Sequence, residues 1–162
     1  MARIKKSDLI SSIVEALHES FAVLEKAARA AHAEATHESS KAENKYDTRG
    51  LEAAYVAGGQ ARQAREILDS IKVYGSLLVK EFGATDPIDL SAVVELETER
   101  AIGRYFIGPR SGGLEVHCEG AEIMVITPHS PLGQQLMGKK AGQRWTTNLN
   151  GSRIDYRIVS VT

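Results

Sequence analysis

The chain has 162 residues, 43% of them apolar and 25% charged, with a formal net charge of −1; this suits one or two small globular domains and excludes the basic excess of a nucleic-acid-binding slab, since acids and bases also balance on either side of Asp86. The single cysteine, Cys118, excludes an internal disulfide. No signal-peptide hydrophobic region and no run of eighteen apolar residues occurs, so the cytoplasm is the expected compartment and no membrane partner is expected.

After a short basic lead-in, Ser7 is placed to cap a helix, with Asp8 favourable beside its positive end. Ile10, Val14, Leu17, Phe21, Leu24, Ala28, Ala31 and Ala35 follow in steps of four and three, the seam of a heptad coil, with no Gly or Pro among them. A second seam runs through Leu51, Ala54, Gly58, Ala61, Ala64, Leu68, Ile71, Gly75, Leu78 and Phe82. Folded antiparallel, the arms set Leu17 opposite Leu68, Phe21 opposite Ala64, Leu24 opposite Ala61 and Ala28 opposite Gly58, so that Phe21 and Leu24 face small residues. Arms of roughly thirty residues, at about 1.5 Å each, make a rod on the order of 40–45 Å, suited to reaching something. The seam thins to Ala and Gly toward the connection, where close approach and low local stability are expected. Close contact is likewise the first reading of the Gly58–Gly59 pair.

The connection, THESSKAENKYDTRG at residues 36–50, is longer than the two to eight residues or so that helix pairs usually need, which favours a functional loop. Glu43 and Asp47 are four apart and share a face on a helical turn. Such a pair completes an oxygen shell around Mg²⁺ only when another molecule supplies the remaining ligands, so no stable metal site is expected from this chain alone. His18, His32 and His37 lack metal-ligand spacing and read as surface residues. On the second arm, Arg62, Arg65 and Lys72 form a basic face, either pairing with Glu66 and Asp69 or meeting an acidic partner or RNA.

The second arm is expected to stop at Gly83, and GATDPIDLS at 83–91 reads as a linker. Beyond it the period changes to two. Strands are expected at 94–97, 101–107, 114–118, 122–126, 144–149 and 154–161, separated by turn signals that include Glu119-Gly120 and Asn150-Gly151. In SPLGQQLMGKKAGQ, Ser130 can cap a short helix, Pro131 suits its first position, Leu132, Leu136 and Met137 face the sheet and Gly138 ends it. The expected fold is α+β: an antiparallel coiled-coil hairpin in 1–83, a linker in 84–91, and an antiparallel sheet with one short helix in 92–162.

The stretch from Ile126 to Gln143, with its Ser130-Pro131-Leu132-Gly133 and Leu136-x-Gly138-Lys139-Lys140, and the closing strand Tyr156 to Val161 resemble the signature of the bacterial GreA/GreB transcription elongation and transcript cleavage factors. A heptad hairpin ahead of such a domain is also that family's order. The resemblance implies an FKBP-like second domain that docks on bacterial RNA polymerase, here through Ser130, Pro131, Leu132 and Gly133. It implies a hairpin that enters the polymerase secondary channel, with acidic tip residues helping to hold a Mg²⁺ shared with the polymerase. The protein itself then acts as a monomer with no cofactor and no catalytic residue of its own, in contact with nucleic acid at the polymerase, DNA and nascent RNA included; Arg62 and Arg65 are the candidate RNA or polymerase contacts. Glu43 and Asp47 are the candidate tip carboxylates, with Asn44 and Glu52 as further contributors.

The tip departs from the family pattern Asp-x-x-Glu-Asn-x-x-Tyr: aligning Glu43-Asn44 puts Ser40 at the Asp position, and every other register also loses a carboxylate. Cleavage stimulation and a non-cleaving, channel-occupying role therefore stay side by side. Two other classes remain. One is a prolyl isomerase, whose aromatic pocket would draw on Tyr105, Phe106, Trp145 and Tyr156. The other is a coiled-coil adaptor unrelated to polymerase. Nucleophilic chemistry at Cys118 is disfavoured, because His117 beside it on a strand points to the opposite face.

Overall fold

The structure, a computed structural model, describes the backbone of residues 3–36 and 49–162 and the side chains of residues 3–34 and 58–162. Two helices, α1 (Lys6–Thr36) and α2 (Arg49–Gly75), form a helical hairpin. Six strands follow, β1 (Val93–Glu97), β2 (Ile102–Ile107), β3 (Glu115–Cys118), β4 (Ala121–Ile126), β5 (Arg144–Leu149) and β6 (Ser152–Val161), with a short α3 (Pro131–Leu136) between β4 and β5. The chain divides into two compact units, one of Val14–Lys72 and one of Met1–Ile13 with Val73–Thr162.

In the first of these, burial falls along α1 from Leu17, which is buried, to Phe21, Leu24, Ala28 and Ala31, which are half-buried. On α2, Ala64 and Ser70 are buried, the Ser70 hydroxyl bonding the Glu66 carbonyl at 3.0 Å. The glycine pair does not serve close approach. A Cβ built on Gly58 or Gly59 meets nothing within 4 Å among the described residues, and a groove of about 890 Å³ lies beside Gly58, floored by Phe21, Ala28, Ala61, Ala64 and Leu68.

The other unit is built on a six-stranded sheet of order β3-β4-β2-β1-β6-β5. Its pairings are antiparallel except β2 with β4, which is parallel. The parallel pair arises because the chain leaving β2 runs on to the sheet edge as β3 and returns through a hairpin, so β4 enters beside β2 in the same direction. Two of the hairpin turns, β3–β4 and β5–β6, hold paired positive-φ residues, Glu119 and Gly120 at 51° and 78°, Asn150 and Gly151 at 49° and 79°, the type I′ geometry that matches strand twist.

Strand alternation gives the sheet two faces. On one, Val94, Leu96, Ile107, Ile126, Ile158 and Val161 pack with Ile88, Ala92 and Leu136 of α3. On the other, Val93, Phe106, Val116, Cys118, Ile123 and Val125 are buried, with Leu9, Ile13 and Tyr74 of the helix ends in the same unit. The Tyr74 hydroxyl donates to the Arg110 carbonyl at 2.7 Å, and the Cys118 thiol meets the Ser12 hydroxyl. Burial at the start of α1 therefore follows Leu9 and Ile13, one position ahead of the expected Ile10 and Val14: this stretch belongs with the sheet, and its buried face is set there.

Two helix ends differ from expectation. Helix α1 begins at Lys6, with Asp8 and Leu9 amides donating to the Lys5 carbonyl at 3.0 Å, so Ser7 lies inside it and bonds Asp8 instead. Helix α2 stops at Gly75 rather than Gly83. Tertiary bonds take over from helical ones there: the Lys80 amide donates to the Ser91 hydroxyl at 2.8 Å, the Lys6 ammonium donates to the Lys80 carbonyl, and Phe82 packs on the core. Leu78, expected in the seam, is 85% exposed.

Candidate functional site

The signature segment is held from below by its own backbone. Ser130 sits in extended geometry, φ −66° and ψ 156°, and its hydroxyl accepts from the Gly133 amide at 3.0 Å while donating to the Thr127 carbonyl at 2.8 Å. That is an N-cap, satisfying one of the otherwise unpaired first-turn donors. Pro131 follows where its missing N–H costs nothing and stands exposed. Leu132 packs against the core and Leu136 is fully buried. Gly133 is buried, and a Cβ there would run into the Thr127 carbonyl oxygen and lie 2.8 Å from the Ser130 hydroxyl. The helix exit is equally tied down: the Gly138 amide donates to the Ile88 carbonyl at 2.9 Å and the Ile88 amide to the Lys139 carbonyl at 2.7 Å.

Beside this segment, Trp145 stacks on Tyr156 with centroids 5.0 Å apart, its indole N–H donates to Gln135 Oε1 at 2.7 Å, and the Lys139 ammonium lies 5.5 Å from its ring. Tyr105 shares that sheet face, whereas Phe106 is buried on the opposite one. Phe106 therefore stands apart from the other three aromatics, which pack on the same core cluster. His117 is exposed and Cys118 buried, and burial raises the Cys118 thiol above its usual value, away from nucleophilic use.

Of the hairpin residues singled out by sequence, Glu43, Asn44 and Asp47 lie outside the described residues, as do Ser40, His37 and the side chain of Glu52. Arg62 and Arg65 are exposed on α2 and form no ion pair with Glu66 or Asp69 among the described residues. They are therefore available charges rather than members of an intrahelical network. Among the described residues no group of three His, Cys, Asp or Glu is placed to hold a metal ion, and no helix is long and apolar enough to cross a membrane.

Sequence reasoning missed Lys6, Tyr74 and Ser91. Lys6 reads as part of a basic lead-in, yet it is only 6% exposed, with its ammonium on the Lys80 carbonyl and 4.6 Å from the Phe82 centroid. Tyr74 carries a signal that the seam leaves ambiguous: it stands three residues after Ile71, Gly75 four, and the three-step position is the buried one. Ser91 is buried at a φ of 72°, which no pattern announces.

A helical hairpin followed by a six-stranded sheet with a capped short helix defines an α+β protein. Residues 115–162 match the family described as transcription elongation factor GreA/GreB, C-terminal. It is similar to the solved structures of GreA factor homolog 1, Gfh1, from Thermus thermophilus (23% identity over 92% of this chain and 94% of that one, TM-score 0.38) and of Gfh1 from Thermus aquaticus (24%, 98% and 96%, TM-score 0.38). A GreA/GreB elongation factor from Nitrosomonas europaea is similar over 59% of this chain and 78% of that one, at 20% identity and TM-score 0.37. A comparison with curated protein sequences gives no match.

Proposed function

We propose that this protein is a member of the GreA/GreB family that binds bacterial RNA polymerase in the cytoplasm through its C-terminal domain and carries the 36–50 end of its hairpin into the secondary channel, where it modulates elongation. The observation that carries the reading is the family match of residues 115–162, supported by a rigidly capped Ser130–Gly133 segment that presents Pro131 outward. Glu43 and Asp47 act there as the carboxylates offered to the polymerase's Mg²⁺, with Asn44 and Glu52 near them, and the exposed Arg62 and Arg65 face polymerase or nascent RNA. Direct DNA binding is not part of the reading, because a net charge of −1 supplies no field for a duplex backbone.

Ser40, standing where the family pattern has Asp, favours a second form of the same reading, a factor that occupies the channel without stimulating cleavage, since an exposed Mg²⁺ needs charged oxygen ligands. Transcript cleavage by a backtracked polymerase complex, measured beside a binding titration for wild type, Glu43→Ala, Asp47→Ala and the double variant, separates the two. Cleavage stimulated by wild type and lost by roughly tenfold or more in the variants at unchanged affinity identifies a rearranged carboxylate pair. Binding without stimulation identifies the channel-occupying regulator. No binding to core polymerase sinks both and returns the adaptor reading.

A further inference from the structure

Strand β5 is an edge strand, bonded among the described residues only to β6. Edge strands in monomeric proteins are usually shielded by a bulge, a proline, an inward charge or shortness. The opposite edge, β3, has four residues; β5 has six, in unbroken register with β6 and without proline. Its outer backbone is an open template.

The side chains along it carry a charge pattern that stops short. Glu97, Arg157 and Arg144 are consecutive partners across β1, β6 and β5 and so share one face. Arg157 bonds Glu97 at 2.6 Å. Arg144, directly opposite Arg157, is exposed and has no hydrogen bond or ion pair among the described residues. Like charges placed directly across a ladder are unfavourable; of the other nearby carboxylates, Asp155 is taken by Thr146 and Arg153, and Glu99 makes no ion pair with Arg144 among the described residues. A groove of about 630 Å³ opens beside this row, bounded by Glu97, Arg144, Arg153 and Arg157. On the reverse face of the same strand, Leu149 is 56% exposed. Arg144 and Leu149 are five residues apart, hence on opposite faces.

We propose that the outer edge of β5 binds an extended segment of a partner protein as a seventh strand, with an acidic side chain across from Arg144 and an apolar side chain five positions away covering Leu149. The acid completes the row as minus, plus, plus, minus, and its carboxylate reaches the groove on Arg144; the backbone ladder supplies affinity, and this pair fixes register. A polyanion fits less well, because Glu97, Glu99 and Asp155 border the same groove. The site is independent of the polymerase reading.

The test uses the full-length protein and a labelled, end-blocked peptide, Glu-Val-Thr-Val-Thr-Val, with a second peptide in which Lys replaces Glu. Fluorescence anisotropy is expected to show the Glu peptide binding wild type roughly tenfold tighter than the Lys peptide, with the order reversed for Arg144→Glu. Amide exchange is expected to slow in residues 144–149 and not in 115–118. Arg144 is exposed, so the variant keeps the fold, which an unchanged urea midpoint verifies. Absence of binding, an unchanged order in Arg144→Glu, protection away from β5, or protection of β5 by self-association without peptide each overturns the proposal.

Discussion

Lys6 shows how much a single position contributes. Burial lowers its ammonium to about 8 from the usual 10.5; Glu81 opposes this and Arg3 adds to it. A base with a lowered folded-state value penalises the folded state fully below that value. Between the two values the unfolded chain binds more protons, so stability rises with pH. Burial raises the phenol of Tyr74 and the thiol of Cys118 above their usual ranges, and these act with the opposite sign once the unfolded groups begin to ionise, the thiol from about pH 8 and the phenol from about pH 9. Between about pH 7.5 and 9 the Lys6 contribution is therefore read as the difference between two proteins that share that thiol and phenol. Urea unfolding over that interval should show wild type gaining on the order of 1 kcal/mol relative to Lys6→Met, which keeps the stem over Phe82 and removes the titration. Equal slopes for the two proteins would show that the amine titrates as if exposed.

At the scale of elements, the short helix α3 separates two roles that the family signature superimposes. Ser130 and Gly133 are engaged inward, by the cap and by contact with the Thr127 carbonyl, whereas Pro131 makes no inward bond and is exposed. Ser130→Ala is expected to cost about 1 kcal/mol as a lost cap. Gly133→Ala should cost about 1–3 kcal/mol, because the obstacle is backbone and cannot rotate away. Both read out as lower urea midpoints and faster exchange at the Gln134 and Met137 amides, which donate to Ser130 and Gly133. Pro131→Ala should leave the midpoint within about 0.5 kcal/mol and weaken polymerase binding; a stable Pro131 variant with full affinity removes that residue from the docking surface. This helix, its cap and all six strands were legible in the sequence, because Ser-Pro, Gly and period-two alternation are local signals. The end of α2 was not. Leu78 and Phe82 continue the heptad steps, and only the bonds from Lys6 and Ser91 to Lys80, made by residues distant in sequence, show why the helix stops at Gly75. Gly58 and Gly59 misled for a related reason: composition shows that two helices can approach, not that they do. Glu43 and Asp47 lie outside the described residues, and their spacing alone carries the expectation of a paired role.

For the molecule as a whole, the consequential fact is that the sheet-bearing unit is discontinuous, joining Met1–Ile13 to Val73–Thr162. One sheet face is closed by α3 and its neighbours within the C-terminal sequence. The other buries Phe106, Val116, Ile123 and Val125 in a unit whose remaining buried apolar groups, Leu9, Ile13 and Tyr74, come from the ends of the hairpin helices. A fragment of residues 84–162 retains every strand and the family-matching segment but leaves that face without them. An uncovered apolar sheet face lowers stability in proportion to its area and invites association. The fragment is therefore expected to bind an apolar dye, to unfold at a lower urea concentration with reduced cooperativity, and to aggregate, while the full chain does none of these. In the full chain, Tyr74→Phe keeps the ring and strips the Arg110 carbonyl of its donor, which should cost about 1–3 kcal/mol without changing the slope of the urea transition. If the fragment unfolds at the midpoint of the full chain with equal cooperativity, the helix ends contribute nothing to the sheet, and the hairpin is a separable attachment rather than part of the unit that carries the signature.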